Sequence, residues 1–519
     1  MGKVFTQTID RFDGGMTNDP RIQDFKYSQL IKNFDAHTYP QKIVPYRSSE
    51  SGDAVASTNK IVNFTYGFHI QQAKDKLFGL GVSTGVVPEV FEKGSETTPS
   101  YTDDAWFDRG GPASGARDET FFMYYKGYVY GARAGTHLWR LQTHTPGTSD
   151  TWQALTYTSM AQGLIHSKDD ILYVPYNNDT TTSSAETGGY IATISGTSFV
   201  SATALTLPGN MLVTSICEYG NYLAIACRPK TGVGKSVVYL WDRDSSLTTL
   251  SESIDWGQGV IQILEQVGGY LIGISVIGGT STTFGTKVVF RAYNGGRAEV
   301  FKQFFSNTSV AIATTLPLAK QKVNDTLYFL MSLTLNGVLQ EGLWKLGKTA
   351  SGFSIVLDRT PNNDTALSSG SLWGFFVLDD YVFISYSSSA AYAMSKTDDQ
   401  ANFASTAIYD TQILNAGDSS ITKKLISVTL MHEPLPANGK LTVKYKKDEE
   451  TSFTTIFSNT TDNSISHTAI NIESSGATLP EFKEITFSVE STQQANGTGA
   501  AAVLTGIKFK YEIIDKDIA

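Results

Sequence analysis

The chain has 519 residues, 41% hydrophobic and only 18% charged, with 28 Phe, 25 Tyr, 46 Gly and a formal net charge of −9. That length exceeds one small core, and the wealth of aromatic and turn residues describes a turn-rich β protein rather than a helical one. The charge balance disfavours a tight grip on nucleic acid: the densest basic cluster, Lys444-Tyr445-Lys446-Lys447, runs at once into Asp448, Glu449 and Glu450.

Residues 1–55 read as an extended strap. Val4 to Ile9 has the pattern of a strand, and the chain after it is punctuated by Phe12-Asp13-Gly14-Gly15-Met16 and Asn18-Asp19-Pro20. Tyr27 to Asp35 reads as one short helical turn followed by strand, and Lys42-Ile43-Val44-Pro45-Tyr46-Arg47 as extended, its proline favouring an edge. Ser48 to Asn59 is a polar linker.

Residues 56–412 repeat. A turn rich in Gly, Asn, Asp or Lys runs into an apolar strand seven times, the first apolar residue falling at Leu77, Tyr128, Ile171, Tyr222, Tyr270, Leu327 and Tyr381. Strands flank the copies, as Met211 to Cys217 and Ser236 to Trp241 do the fourth, giving three or four antiparallel strands per repeat. A period of roughly fifty residues is that of propeller blades, so the expected fold is an all-β propeller of seven blades. Val4 to Ile9 can close the ring with the last blade near Ser405 to Ile413, or pack on a neighbouring subunit. Gly94 to Gly115 and Asn177 to Gly188 are long polar loops, suited to reaching a neighbour but equally to simple solvation.

From Thr411 the period is lost, and residues 413–519 form the third segment. Strands are expected at Ile421 to Met431, Lys440 to Lys446, Phe453 to Phe457, His467 to Ile472, Phe482 to Val489 and Ala502 to Tyr511. Asn438-Gly439 reads as a hairpin turn and Asn496-Gly497 as another reversal, so Asp418 to Asp515 reads as an antiparallel β-sandwich.

The order Phe12-Asp13-Gly14-Gly15, Asp19-Pro20, Asn33-Phe34-Asp35 and Val44-Pro45-Tyr46-Arg47 resembles the opening of a family of tailed-bacteriophage virion proteins, most like the tail nozzle proteins of short-tailed phages. The resemblance covers about fifty residues and implies a strap, a propeller and a C-terminal sandwich. It further implies a structural protein in the virion tail, made in the host cytoplasm. Six copies would form a ring beside other tail or portal-adaptor proteins, around a channel through which DNA passes without tight binding.

The residues themselves point to no chemistry, so no catalytic, cofactor or metal site is expected. The seven histidines, His37, His69, His137, His144, His166, His432 and His467, are dispersed, and none has helical zinc spacing. Of the carboxylate pairs Asp103-Asp104, Asp169-Asp170, Asp379-Asp380 and Asp398-Asp399, two sit in the repeating turn, where Asp caps a reversal. Thr231 to Ser236 has a phosphate-loop ending, but Pro229 stands where its first Gly belongs. Tyr128, Tyr222, Tyr270 and Tyr381 read as core filling rather than a sugar-stacking ring. Cys217 and Cys227 flank their turn unequally and are expected as buried, unbridged thiols, consistent with a reducing cytoplasm. No apolar run reaches membrane-spanning length, and Met1 to Gln7 lacks an apolar signal core. The alternative function is a carbohydrate-binding or carbohydrate-degrading propeller acting on a host envelope.

Overall fold

The computed structural model describes residues 3–18, 24–39, 41–47, 49–51, 59–69, 74–83, 89–93, 106–108, 119–133, 137–143, 151–156, 160–161, 165–166, 171–179, 186–195, 198–230, 234–244, 246, 249–277, 284–312, 320–335, 337–361, 372–388, 391–397, 406–436, 439–459, 467–471, 480–493 and 502–514. The named elements are all β-strands. The chain divides into two compact units: residues 1–50, 342–365 and 397–519 form one, residues 51–341 and 366–396 the other. This differs from the expected division at 55 and 412. The strap and the C-terminal segment belong together, and a piece of the repeat region joins them.

The second unit is a β-propeller built from consecutive antiparallel meanders, four-stranded at residues 59–108, 119–156 and 211–258. The strands on either side of the repeating turns pair as antiparallel hairpins: Asn59–His69 with Lys74–Ser83, Glu119–Tyr125 with Tyr128–Arg133, Met211–Tyr219 with Tyr222–Pro229, and so on to Leu372–Leu378 with Tyr381–Ser388. Lys74 to Lys76 is already strand, and Lys168 to Asp170 lies outside the described residues. The turns use the backbone their residues permit. Lys126-Gly127, Gly268-Gly269 and Asn324-Asp325 place both central residues at positive φ, the twist that matches two antiparallel strands.

The buried position of each repeat is Leu77, Val129, Leu172, Leu223, Leu271, Leu327 and Val382. Tyr128, Tyr270 and Tyr381 are therefore only half-buried, and Tyr222 is 37% exposed, which corrects the expectation that these tyrosines fill the core. Side chains alternate across a strand, so a reading one residue off selects the other face.

A second regularity is invisible in the letters. Four residues after that buried position the hairpin pairs Gly81↔Ile61, Arg133↔Glu119, Tyr176↔Ala161, Cys227↔Val213, Ser275↔Ile261, Met331↔Ile312 and Tyr386↔Leu372. Beyond this pair the register shifts at a bulge or irregularity in five copies; in the third the partner changes from Met160–Ala161 to Ile165–His166, and in the sixth from the end of Glu299–Ile312 to Lys320–Val323. Bulges bend a strand and tighten its twist, so the first strands of those five copies bend at one level.

Neighbouring repeats are tied there by side chains. Thr65 accepts from Tyr124 N (2.7 Å), Ser215 from Leu264 N (3.2 Å) and Gln321 from Val377 N (2.7 Å); Asn177 accepts from Val213 N (2.7 Å) and donates to Val213 O (3.0 Å). Tyr125 OH donates to Ile194 O (3.4 Å) and Lys320 Nζ to Leu264 O (2.5 Å). The cycle closes when Ile61 N donates to Ser385 Oγ at 3.2 Å and Phe64 meets Phe376 at 6.4 Å, within a core of Ile61, Phe64, Leu77, Phe383 and Met394. Closure thus joins the last repeat to the first directly.

Val4–Ile9 does not perform that closure. It pairs with Leu504–Ile513 over six residues, Phe5 stacking on Tyr511 at 5.5 Å, while Thr406–Thr411 pairs with Tyr27–Lys32 and Ile485–Gln493. The segment Tyr27–Lys32 is strand throughout, so the expected helical turn is absent: its neighbours on both sides supply ladder partners that override local preference. Beside a two-stranded ladder of Phe34–Asp35 with Val44–Pro45, the first unit holds two larger, mainly antiparallel sheets, with parallel pairing of Tyr27–Lys32 to Gly15–Met16 and Gly352–Arg359. One is Val4–Ile9, Leu504–Ile513, Lys423–His432 and His467–Asn471; the other includes Tyr27–Lys32, Thr406–Thr411, Ile485–Gln493, Gly439–Lys447 and Thr454–Asn459. Phe487 of one meets Phe509 of the other at 5.1 Å.

The C-terminal strands fall close to their expected places, but the strands on either side of Asn438-Gly439 do not pair as the expected hairpin, and Asn438 itself lies outside the described residues. Lys423–His432 and Gly439–Lys447 lie in different sheets, so the chain crosses over there. A turn dipeptide reports a local reversal and says nothing about which sheet the chain enters next. Asn496-Gly497 lies outside the described residues.

Candidate functional site

The motifs singled out in the strap converge on one buried network in the first unit. Phe12 is fully buried, edge-on to Tyr409 at 5.0 Å, and the buried Asp13 takes Arg11 Nη2 at 3.0 Å. Gly15 stands at φ +73°, where a Cβ would come within 2.6 Å of Ile355 N. Nothing but glycine fits, because both the left-handed backbone and the close approach exclude a side chain.

Asn33, at φ 59°, clamps two segments at once. Its Oδ1 accepts from Thr360 N (3.0 Å) and its Nδ2 donates to Thr406 O (2.9 Å). Asp35 accepts from the amides of His37 and Thr38, and Lys345 Nζ lies 3.5 Å away. Burial raises the Asp35 carboxyl, but Lys345 and the Thr38 hydrogen bonds outweigh it and hold it below the usual range. His37 is held neutral, its pKa lowered to about 4 by burial and by Lys345, while Nε2 meets Ser354 O at 3.1 Å. Burial pushes Asp358 up, against the pull of Lys345 and Arg359. Tyr46 covers the Arg359 guanidinium at 4.8 Å and takes Lys345 Nζ on its hydroxyl at 3.2 Å. Lys345 and Arg359 balance Asp35 and Asp358, which makes this a fastening of the strap. Strap position Asp19-Pro20 lies outside the described residues.

A pocket of about 620 Å³ opens in the same unit, lined by Asp10, Arg11, Tyr39, Gln41, Lys42 and Thr505. Tyr39 is 47% exposed, and Lys42 Nζ sits 4.7 Å from its ring centroid and 2.8 Å from Glu433. Sequence reasoning missed these residues, as it missed Lys345, Asp358 and Arg359. The pocket is assembled from three chain positions with no shared motif; the charges of Leu357-Asp358-Arg359, ending an apolar run, were the one available signal.

Elsewhere, among the described residues, the chemistry-bearing side chains serve the fold. Asp379-Asp380 forms the repeating turn, Asp379 at φ 51°. Asp103-Asp104, Asp169-Asp170 and Asp398-Asp399 lie outside the described residues, as does His144. His432 Nδ1 meets Glu433 O at 2.7 Å. Lys235 begins a strand that pairs with Tyr222–Pro229, and it bonds Asp255 at 2.7 Å; the segment joins strand to strand. Cys217 lies opposite Ala224 and Cys227 opposite Val213; both are buried and free, and burial raises both thiols. Among the described residues no group of three or more His, Cys, Asp or Glu could hold a metal, and no helix is long and apolar enough to cross a membrane.

No protein-family model and no curated protein matches the chain. Among solved structures, the WD40 β-propeller domain of Doa1 is 11% identical with TM-score 0.38, covering 68% of this chain and 98% of its own. YCF48 bound to D1 peptide is 11% identical with TM-score 0.40, covering 71% and 98%. Trypanosoma rangeli sialidase in complex with the inhibitor DANA is 9% identical with TM-score 0.33, covering 98% and 97%. At these TM-scores the propeller assignment rests on the strand order of the second unit, not on the neighbours.

Proposed function

We propose that this chain is a structural component of a tailed-bacteriophage virion, a nozzle-like tail protein that assembles as a ring of six copies around the DNA exit path. The observation that carries the reading is the strap. The residues on which the resemblance stands, Phe12 to Gly15, Asn33 to Asp35 and Tyr46, are interlocked with the segments around 345–360 and 406–411. A segment of the resembling type is thus built into the fold. We count seven blades, from the seven hairpins and the equivalent pair four residues past each buried position, and read the two facing sheets of the first unit as a β-sandwich to which the strap contributes strands.

On this reading the protein meets other tail or portal-adaptor proteins, resides in the tail, and needs no cofactor. DNA must slide past it, and each phosphate neutralised by Lys or Arg adds a hold to be broken at every step. A net charge of −9 suits that task. So does the pairing of the densest basic cluster, where Lys444 is engaged with Glu490 at 2.5 Å. Mass photometry of the purified full chain tests the reading: a single species at six times the chain mass is expected. A monomer that cleaves host polysaccharide, with cleavage abolished in Asp104→Asn, overturns it in favour of a glycan-active propeller.

A further inference from the structure

The pocket in the first unit exists because one sheet edge is left open. Strand Leu504–Ile513 is flanked along residues 507–512 by Val4–Ile9 and at Leu504 by Ile43, whose amide and carbonyl exchange hydrogen bonds with it at 2.9 and 3.2 Å. The chain leaves that edge at Asp10 and returns only at Ile43. Thr505 lies in the gap between, with Asp10 and Arg11 on one flank and Tyr39, Gln41 and Lys42 on the other.

The lining selects a kind of ligand. The half-exposed Tyr39 ring offers an apolar face whose orientation is fixed by Lys42. Around it stand the acceptor Asp10, the donors Arg11 and Lys42, and Gln41 and Thr505, which both donate and accept. The charges do not favour an anion. Arg11 is already engaged by Asp13 at 3.0 Å and Lys42 by Glu433 at 2.8 Å, so with Asp10 the five groups carry one net negative charge. An aromatic face ringed by mixed donors and acceptors, without surplus positive charge, matches vicinal hydroxyls above a C–H face. The volume falls within the usual range for small-molecule sites.

We propose that this pocket binds a neutral saccharide, with Tyr39 as the stacking platform and Asp10, Arg11 and Gln41 as the hydroxyl-reading groups. The site goes beyond the assembly role and does not rest on it: a ring-forming protein could lack it, and a monomer could possess it. Saturation-transfer NMR on the full chain with chitotetraose, maltotetraose and mannotetraose tests it. Transfer to at least one of them is expected, with affinity falling about tenfold or more in Tyr39→Ala and retained in Tyr39→Phe. Gln41→Ala, an exposed position, should weaken binding without touching the ring. No transfer from any of the three at about 10 mM overturns the proposal. So does tighter binding of inorganic phosphate or a heparin tetrasaccharide that is lost in Lys42→Gln, since that would define an anion site.

Discussion

Gly15 and Gly269 both hold positive φ, +73° and +81°, yet their surroundings differ. A methyl at 269 meets nothing within 4 Å, whereas at 15 it meets Ile355 N at 2.6 Å. Gly269→Ala should therefore cost about 1 kcal/mol of backbone strain, and Gly15→Ala that strain plus overpacking, about 3 kcal/mol or more. Urea midpoints of the two variants check the ordering; equal losses would mean the strap is not seated as described. Two half-buried ionisable groups in the same unit oppose each other. The pKa of His37 falls from 6.5 to about 4, so its contribution is complete above pH 6.5 and is lost as pH falls toward 4. That of Asp410 rises from 3.8 to about 6, mainly by burial, so its contribution is complete below 3.8 and is lost as pH rises through 6. Each is worth about 3 kcal/mol, so across this window the two slopes nearly cancel. Asp410→Asn should uncover the His37 slope as acid destabilisation between pH 6.5 and 4.5. An unchanged pH profile in that variant would contradict the assignment.

At the scale of elements, neighbouring repeats are held by side chains that take backbone amides of the next first strand. Asn177 satisfies both the N–H and the C=O of Val213, whereas Ser215 satisfies only Leu264 N. A buried polar group left without its partner costs about 1–3 kcal/mol, so Asn177→Ala should destabilise the propeller more than Ser215→Ala. Chemical denaturation of both variants checks the order. These elements also show what the sequence could and could not reveal. Turn chemistry is local, so Gly268-Gly269 and Asn324-Asp325 announced their hairpins, and alternation in Lys440 to Tyr445 announced a strand. Sheet membership is not local. Nothing in Val4 to Ile9 names Leu504–Ile513 as its partner, and nothing in Asn438-Gly439 separates a hairpin from a crossover. The shared bend four residues past Leu77, Leu223 and Leu271 is set by register, and quite different residues occupy it: Val62, Thr214 and Gln262. The pocket at Tyr39 and Thr505 was unreadable for the same reason, being a property of a sheet edge.

For the whole molecule, the conduit reading makes a prediction in solution. Binding to duplex DNA should be weaker than about micromolar at physiological salt, with little salt dependence, because a chain of net charge −9 repels the duplex. Nanomolar affinity with a steep salt slope would defeat the slippery-channel idea and leave the propeller standing. The central claim, that this is a tail component of a virion, is tested most directly by electron microscopy of phage particles labelled with an antibody to this chain. The account predicts label confined to the tail of short-tailed particles, at the end from which DNA leaves. Label absent from the particles, with the protein recovered only free in the lysate, would contradict it.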